Sequence, residues 1–123
     1  AYLLKRAPAA EAAGTTGNHV IIDSGTSFGK TRSHTLALMA NLSTFVATGR
    51  GVLLGTSRKR FMGSICTEPD GSAPVPATLV GATAATTAIG VGAGVAMFRV
   101  HDVRANRQAA DVAWAIAQCR TEA

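Results

Sequence analysis

The stretch Gly51-Val-Leu-Leu-Gly-Thr-Ser-Arg-Lys-Arg-Phe-Met-Gly63 decides how the chain is interpreted. It begins as a short apolar run that suits one buried strand, and this run stops abruptly at polar and cationic residues. Three consecutive cations, Arg58, Lys59 and Arg60, are unsuited to a core. They suit the mouth of a site that holds an anion or a ligand rich in hydrogen-bond acceptors.

Two other segments repeat this arrangement of an apolar run followed by polar residues. They are Val20-Ile-Ile-Asp-Ser-Gly-Thr-Ser-Phe-Gly-Lys30 and Val95-Ala-Met-Phe-Arg-Val-His-Asp102. Helix-like sequence separates the three segments, at spacings that each fit one strand–helix–strand step. The pattern predicts an α/β fold, a partial TIM (β/α)8 barrel of about three parallel βα units with a leading helix, and a site at the strand ends.

The predicted elements alternate along the chain. We predict helices over 2–13, 34–47, 77–93 and 103–120, strands over 19–23, 52–55 and 95–100, and a helical turn over 60–66. In the last helix an apolar stripe is expected to face inward: Ala109, Val112, Ala113, Ile116 and Ala117. Three strands cannot close a barrel, which needs eight and roughly 250 residues. They therefore form either a small open sheet or part of a barrel whose amino-terminal half is missing.

Composition narrows the class of partner. The 123 residues suffice for one domain, and the net charge of +5 comes from 12 basic and 7 acidic residues. The basic residues form only one run, without interleaved aromatic residues, so a small anionic ligand is favoured over nucleic acid. The longest apolar stretch, 88–98, is too short to span a bilayer, and no signal peptide is visible, so no membrane partner is expected.

The two cysteines indicate a compartment. Cys66 and Cys119 lie far apart and have no zinc-ligand spacing. This pattern indicates reduced thiols and a cytoplasmic protein, or one of an organelle if the source is eukaryotic.

The first predicted strand end carries a carboxylate and a glycine-rich loop. Asp23 either caps this loop in an Asx turn or accepts hydrogen bonds from the N–H edge of a bound heterocycle. Gly25 would let the backbone approach that ligand, and Phe28 is expected to form a pocket wall.

The second and third strand ends carry cations. Lys59 follows its strand so closely that it is expected to lie over the end of the sheet, and Arg60 could begin a helix whose free N–H groups bind an anion. Arg99 and His101 alternate, so they point to one side of a strand. We expect that side to be a buried inner face that binds an anion. Asp102 faces the other way and is expected to anchor a loop or the next helix.

The first loop also permits a different function. Ser24-Gly-Thr-Ser-Phe-Gly-Lys-Thr31 nearly matches the phosphate-binding P-loop, with Ser in place of the first Gly. The alternative hypothesis is therefore a phosphate- or nucleotide-binding module in which Lys30 contacts the phosphates. Such a protein would also need a Mg²⁺-holding Asp, for which Asp102 is the candidate, and Arg99 and His101 interrupt its strand.

Three motifs resemble, in order and spacing, the carboxyl-terminal half of dihydropteroate synthases. They are Asp23-Ser-Gly-Thr-Ser-Phe-Gly-Lys30, Leu54-Gly-Thr-Ser-Arg-Lys-Arg-Phe-Met-Gly63 and Phe98-Arg-Val-His-Asp-Val103, and the resemblance covers roughly residues 2–120. It implies that 1–123 are the carboxyl-terminal part of a pterin-binding TIM barrel whose amino-terminal half is absent.

The family condenses 6-hydroxymethyl-7,8-dihydropterin diphosphate with p-aminobenzoate to give 7,8-dihydropteroate and diphosphate in folate biosynthesis. By resemblance, Asp23 and Lys59 would bind the pterin, Arg99 would flank it, and Arg99 and His101 would face the diphosphate. Lys59, Arg99 and His101 would be the catalytic residues, and Gly25 would line the substrate site.

The resemblance also implies the second substrate and the partners. Phe28 and Lys59 would wall the aminobenzoate pocket, and Arg60 would lie at the helix start that receives its carboxylate. The family uses Mg²⁺, whose protein ligand is not in this chain, and the parent is expected to be a homodimer, either a single enzyme or one domain of a multifunctional folate enzyme. We expect the fragment alone to be inactive.

The chain departs from the family pattern at two positions. Ser24 and Ser27 stand where relatives have Pro and Gly. An inactive pterin-binding paralogue is therefore a further alternative.

Overall fold

The computed structural model describes residues 2–26 and 29–122. Its helices are α1 (Tyr2–Ala12), α2 (Arg32–Ala40), α3 (Leu42–Val46), α4 (Arg60–Gly63), α5 (Val80–Ala93) and α6 (Val103–Glu122). Its strands are β1 (Ile21–Asp23), β2 (Gly51–Leu54) and β3 (Met97–Phe98), and two 3₁₀ turns span Gly17–His19 and Pro76–Thr78. In the part described, no helix is both long and apolar enough to cross a membrane.

The three strands form one parallel sheet in the order β1-β2-β3. Ile22 lies opposite Val52, and Leu53 lies opposite Met97. Bonds from Ala96 N–H to Val52 and from Arg99 N–H to Leu54 extend the ladder beyond both ends of β3. Consecutive strands that are parallel neighbours, joined by helices, are the arrangement of successive units of a (β/α)8 barrel.

The core lies between the sheet and the helices. One face of the sheet contributes Ile22, Val52 and Leu54, which pack with Met39 and Leu42 from the helical layer. Side chains alternate along a strand, so the intervening residues lie on the opposite, concave face. Ile21 and Met97 on that face are 42% and 45% exposed. The concave face is therefore open in this chain.

Two predicted helices have different limits. The helix predicted over 34–47 begins earlier, at Arg32, and is divided at Asn41, whose φ of −118° and ψ of 27° interrupt the helical path between α2 and α3. The helix predicted over 77–93 begins at Val80, because the preceding Pro76–Thr78 segment forms a tighter 3₁₀ turn.

The predicted inner stripe of the last helix is only partly correct. Ala109, Ala113 and Ala117 are half-buried, but Val112 and Ile116 are 61% and 54% exposed. The buried side of α6 instead includes Asn106, which accepts a hydrogen bond of 2.6 Å from Thr87 of α5. Periodicity identified an apolar stripe on α6, but only its small alanine residues lie in the contact with α5.

Gly90 of α5 allows the helix to lie closely on the sheet. A Cβ at this position would be 2.7 Å from Phe98 Cε1 and 3.2 Å from Leu54 Cδ2. We therefore expect Gly90→Ala to destabilise the chain by about 1–3 kcal/mol, because the added methyl overpacks the core. The measurement is the midpoint of urea unfolding.

Gly81 provides the matched control in the same helix. A Cβ there meets nothing within 4 Å, so Gly81→Ala should raise stability by up to about 1 kcal/mol through helix propensity alone. Equal effects of the two substitutions would contradict the close packing at Gly90.

Candidate active site at the carboxyl ends of the strands

Asp23 and Arg99 meet across the sheet. Asp23 Oδ2 lies 3.4 Å from Arg99 Nη1, and Asp23 Oδ1 accepts the Gly25 N–H at 2.8 Å. One oxygen therefore caps the loop, which is the first of the two alternatives that the sequence left open, and the other oxygen faces a cation. Binding of a heterocycle stays a prediction. Arg99 crosses β2 over Gly55, where a Cβ would lie 2.6 Å from Arg99 Nη2. A side chain at position 55 would displace the guanidinium from this path.

Lys59, from the loop after β2, lies near Asp23 and Arg99, and we call these three residues at the carboxyl ends of the strands the rim. Its Nζ donates to the Thr26 carbonyl at 2.5 Å and to the Thr26 hydroxyl at 3.2 Å. Thr26 is fully buried and donates its own hydroxyl hydrogen to the Gly55 carbonyl at 2.9 Å. Thr26 thus ties the loop after β1 to the end of β2 and holds the lysine at that junction.

The ammonium group of Lys59 lies in an unfavourable electrostatic environment. Burial lowers its pKa from the ordinary value of 10.5, and the nearby Arg99 charge lowers it further. The negative charge of Asp23 raises this pKa, and the positive charge of Lys30 lowers it by a smaller amount. The charges of the three strand ends therefore act on one another, and an incoming anion would relieve the repulsion among the cations.

Arg58, between Ser57 and Lys59, holds the loop in an unusual backbone conformation. Its φ is +57°, which L-residues with side chains rarely adopt. The conformation is held by a bond from the Arg58 N–H to the Thr83 hydroxyl at 3.2 Å and by an ion pair with Asp102, with Nη2–Oδ1 at 2.9 Å. Asp102 therefore anchors a loop, as the sequence predicts, and it neutralises Arg58 rather than Lys59 or Arg99.

A buried threonine pair supports the same loop from the helix side. Thr56 and Thr86 hydroxyl oxygens are 2.6 Å apart, and Thr86 donates to the Thr83 carbonyl at 2.7 Å. Because Thr86 uses its hydrogen in that bond, Thr56 is the donor within the pair.

His101 is held by Ser57. The Ser57 hydroxyl oxygen accepts the backbone N–H of His101 at 3.0 Å and lies 2.8 Å from His101 Nδ1. The prediction of a buried inner face is wrong for this chain, because the Arg99 side chain is 57% exposed and His101 is exposed as well. The reason is the open concave face, which nothing in the described ranges covers.

A strongly basic cleft lies beside this cluster. Its volume is about 540 Å³. It is lined by Thr26, Lys30, Arg32, Thr35, Arg58, Lys59, Arg60, Phe61 and Ser64. Five of these nine residues are cations, and one of them, Arg58, is paired with Asp102. Lys59 belongs both to this cleft and to the Asp23–Arg99 rim, so the two form a continuous surface.

The structure brings most of the predicted site residues together. Asp23, Lys59 and Arg99 converge on one rim, and Arg60 begins α4 beside it. Gly25 has a φ of +63°, a backbone conformation that favours glycine. Phe28 lies outside the described residues.

The supporting hydroxyl groups were not predicted as site residues. Thr26, Ser57, Thr83 and Thr86 position Lys59, His101 and the intervening loop. Ser57 belongs to the polar segment that directly follows β2, but nothing in the spacing indicates that α5 threonines lie under the loop.

The side chains described do not fit a Mg²⁺ site. Within residues 2–26 and 29–122, no group of three or more His, Cys, Asp or Glu could hold a metal ion. Asp23 and Asp102 each face a guanidinium, and His101 Nδ1 contacts a hydroxyl. The expected Mg²⁺ remains a prediction that rests on the resemblance.

One departure from the relatives' pattern has a structural consequence. Ser24 is 7% exposed, and its hydroxyl has no hydrogen-bond partner among the described residues. An apolar proline would suit this dry position better. Ser27 lies outside the described residues.

Comparison with known proteins identifies relatives of this arrangement. The profile of the family described as Pterin binding enzyme matches residues 1–101. The dihydropteroate synthase of Mycobacterium leprae is 42% identical over 116 residues, which are 93% of this chain and 41% of that protein.

Solved structures agree in fold. The Xanthomonas albilineans dihydropteroate synthase in complex with 7,8-dihydropteroate superposes with a TM-score of 0.84 at 34% identity, over 94% of this chain and 42% of that one. The Thermus thermophilus enzyme in complex with 4-aminobenzoate superposes with a TM-score of 0.81 at 40% identity, over 93% of this chain and 42% of that one. The chain thus spans about two fifths of these relatives, and the prediction of a partial TIM barrel is confirmed.

The depressed pKa of Lys59 can be measured by titrating the ¹³Cε signals of the lysines by NMR. We expect the Lys59 midpoint in the folded chain to lie below that of the same chain unfolded in urea, because burial and Arg99 disfavour the charged amine. Arg99→Gln should raise this midpoint, whereas Asp23→Asn should lower it further. Identical midpoints in the folded and unfolded chain would contradict the proximity of these charges.

The threonine pair predicts an asymmetric double-mutant cycle. Thr86→Val leaves the buried Thr56 hydroxyl without its acceptor and should destabilise the chain by about 1–3 kcal/mol. Thr56→Val should cost less, because Thr86 keeps its bond to Thr83. In urea unfolding, the double variant should be less destabilised than the sum of the two single substitutions predicts. Strictly additive effects would show that the hydroxyls do not interact.

Proposed function

The chain belongs to the pterin binding enzyme family, and on that premise we propose that it forms the carboxyl-terminal part of a dihydropteroate synthase. The proposed reaction condenses 6-hydroxymethyl-7,8-dihydropterin diphosphate with p-aminobenzoate to give 7,8-dihydropteroate and diphosphate. The observation that carries this proposal is the convergence of Asp23, Lys59 and Arg99 at one rim. A carboxylate and two cations there match a flat heterocycle that has N–H donors and ring acceptors.

Each residue at the rim has a chemical task in this reaction. Asp23 accepts hydrogen bonds from the pterin N–H groups, and Lys59 donates to a pterin acceptor while it remains held by Thr26. Arg99, more than half exposed, flanks the ring and stabilises negative charge. His101 follows two residues on and donates to the leaving diphosphate.

The bond changes require stabilisation of the leaving group. The arylamine nitrogen forms a bond to the pterin methylene carbon, the carbon–oxygen bond to diphosphate breaks, and the amine loses a proton. Preorganised cations lower the barrier because they meet the charge that develops on the diphosphate. Mg²⁺ would add to this stabilisation when bound, although the residues described do not supply its site.

The basic cleft is the proposed site of the second substrate. Lys59 lines it, and Arg60 at the start of α4 receives the aminobenzoate carboxylate. The role of Phe28 as a pocket wall rests on the resemblance alone. The cations of the cleft favour an anion at this place. Turnover also needs the rest of the barrel, because a barrel closes with eight strands. We therefore propose that these residues alone do not catalyse the reaction.

Two further proposals concern the assembly and the compartment of the parent enzyme. An apolar groove of about 780 Å³ runs between α5 and α6, and Ile89 and Val112 are 57% and 61% exposed along it. We propose that a second copy covers this groove in a homodimer.

The two exposed, free cysteines suit a reducing compartment such as the cytoplasm.

Pterin binding tests the proposal. The affinity of the chain for a pterin, followed by the pterin's own fluorescence, should fall about 10- to 100-fold in Asp23→Asn and in Lys59→Met, because each removes a charged hydrogen-bond partner. Lys5→Met on the exposed face of α1 is the matched control and should bind as the parent chain does.

The same variants separate the alternative functions. Binding of ATP that is lost in Lys30→Met, without any response to pterin, would support a P-loop-type module and overturn the proposal. Pterin binding that persists in both site variants would contradict the assigned roles of Asp23 and Lys59.

A further inference from the structure

We propose that Ser57 is a positioning residue that holds His101 in one tautomer, with the ring hydrogen on Nε2. In that state the ring presents a neutral N–H donor to an anion at the strand ends. The identification of this anion as diphosphate rests on the proposed function, whereas the tautomer itself does not.

The hydrogen-bond geometry at Ser57 specifies the tautomer. The hydroxyl oxygen already accepts the backbone N–H of His101 at 3.0 Å. Its other contact is His101 Nδ1 at 2.8 Å. Within the part of the chain that the structure describes, Nδ1 is the acceptor available to the hydroxyl hydrogen. If Ser57 donates to Nδ1, this nitrogen must be unprotonated, and the neutral ring carries its hydrogen on Nε2.

Burial makes the opposite arrangement unfavourable. Ser57 is 9% exposed. If Nδ1 carried the hydrogen, the Ser57 oxygen would accept two bonds and its own hydrogen would have no described acceptor. A buried polar hydrogen without a partner costs about 1–3 kcal/mol. The alternative with Nδ1 as the acceptor satisfies every group in the contact.

The position of Ser57 relates this tautomer to the site. Arg99 lies over Gly55, and His101 contacts Ser57, two positions further along the loop that follows β2. Both side chains therefore lie against this loop at the carboxyl end of β2. Ser57 orients His101 there without adding a charge that would compete with an anion.

The tautomer can be read directly from the ring nitrogens. In long-range ¹H–¹⁵N NMR spectra of the 123-residue chain, at a pH where the imidazoles are neutral, we expect a pyridine-type Nδ1 and a pyrrole-type Nε2 for His101. In Ser57→Ala these shifts should move toward the average between tautomers, and Ser57→Thr, which keeps the hydroxyl, should restore them. Thr16→Ala, which removes the hydroxyl 2.8 Å from His19 Nδ1, should leave His101 unchanged.

Anion binding provides the second readout, with inorganic diphosphate as the probe. Ser57→Ala should weaken binding about three- to tenfold, and Ser57→Ala should have no further effect in a His101→Ala background. A pyrrole-type Nδ1, or ring shifts that do not change in folded Ser57→Ala, would overturn the inference. The predicted ring shifts together with no diphosphate binding would support the tautomer and count against the proposed function.

Discussion

Parallel pairing of β1 with β2 and of β2 with β3 is the constraint on which the site depends. Parallel strands end at the same edge of a sheet, so residues remote in sequence are brought to one place. Asp23 and Arg99 contact each other although 76 positions separate them. Alternation along each strand then divides the side chains between a core that the helices cover and a concave face that carries the polar groups. The chemistry of the rim is therefore a consequence of strand direction and register.

Neutral groups hold Lys59 and His101 in place, and this adds no opposing charge at these two positions. Lys59 is held by a carbonyl and a hydroxyl of Thr26, and His101 by the hydroxyl of Ser57. Arg58, in contrast, lines the basic cleft but is paired with the carboxylate of Asp102, and this pair supports the loop. A carboxylate beside Lys59 in place of the threonine would fix the ammonium equally well but would cancel the field that an anion requires. The lowered pKa of Lys59 shows that this arrangement opposes the charged state of the lysine.

The sequence predicted three parallel strands, the leading helix and the residues at the three strand ends, because apolar runs that stop at polar residues are local signals. Asp102 as a loop anchor could also be inferred from alternation alone. The break at Asn41 and the exposure of Ile116 could not, since both depend on how the helices pack. The hydrogen bond from Arg58 to Thr83 could not be predicted either. It joins a loop to a helix 25 positions away through a side-chain contact that has no sequence pattern.

We propose that the three strand ends form a single binding surface for one bicyclic ring. The most direct measurement is an amide chemical-shift titration of the chain with a pterin. We predict that the amides of Asp23, Gly55, Lys59 and Arg99 respond together, with one dissociation constant. Shifts confined to a single strand end, or different dissociation constants at the three ends, would contradict the claim.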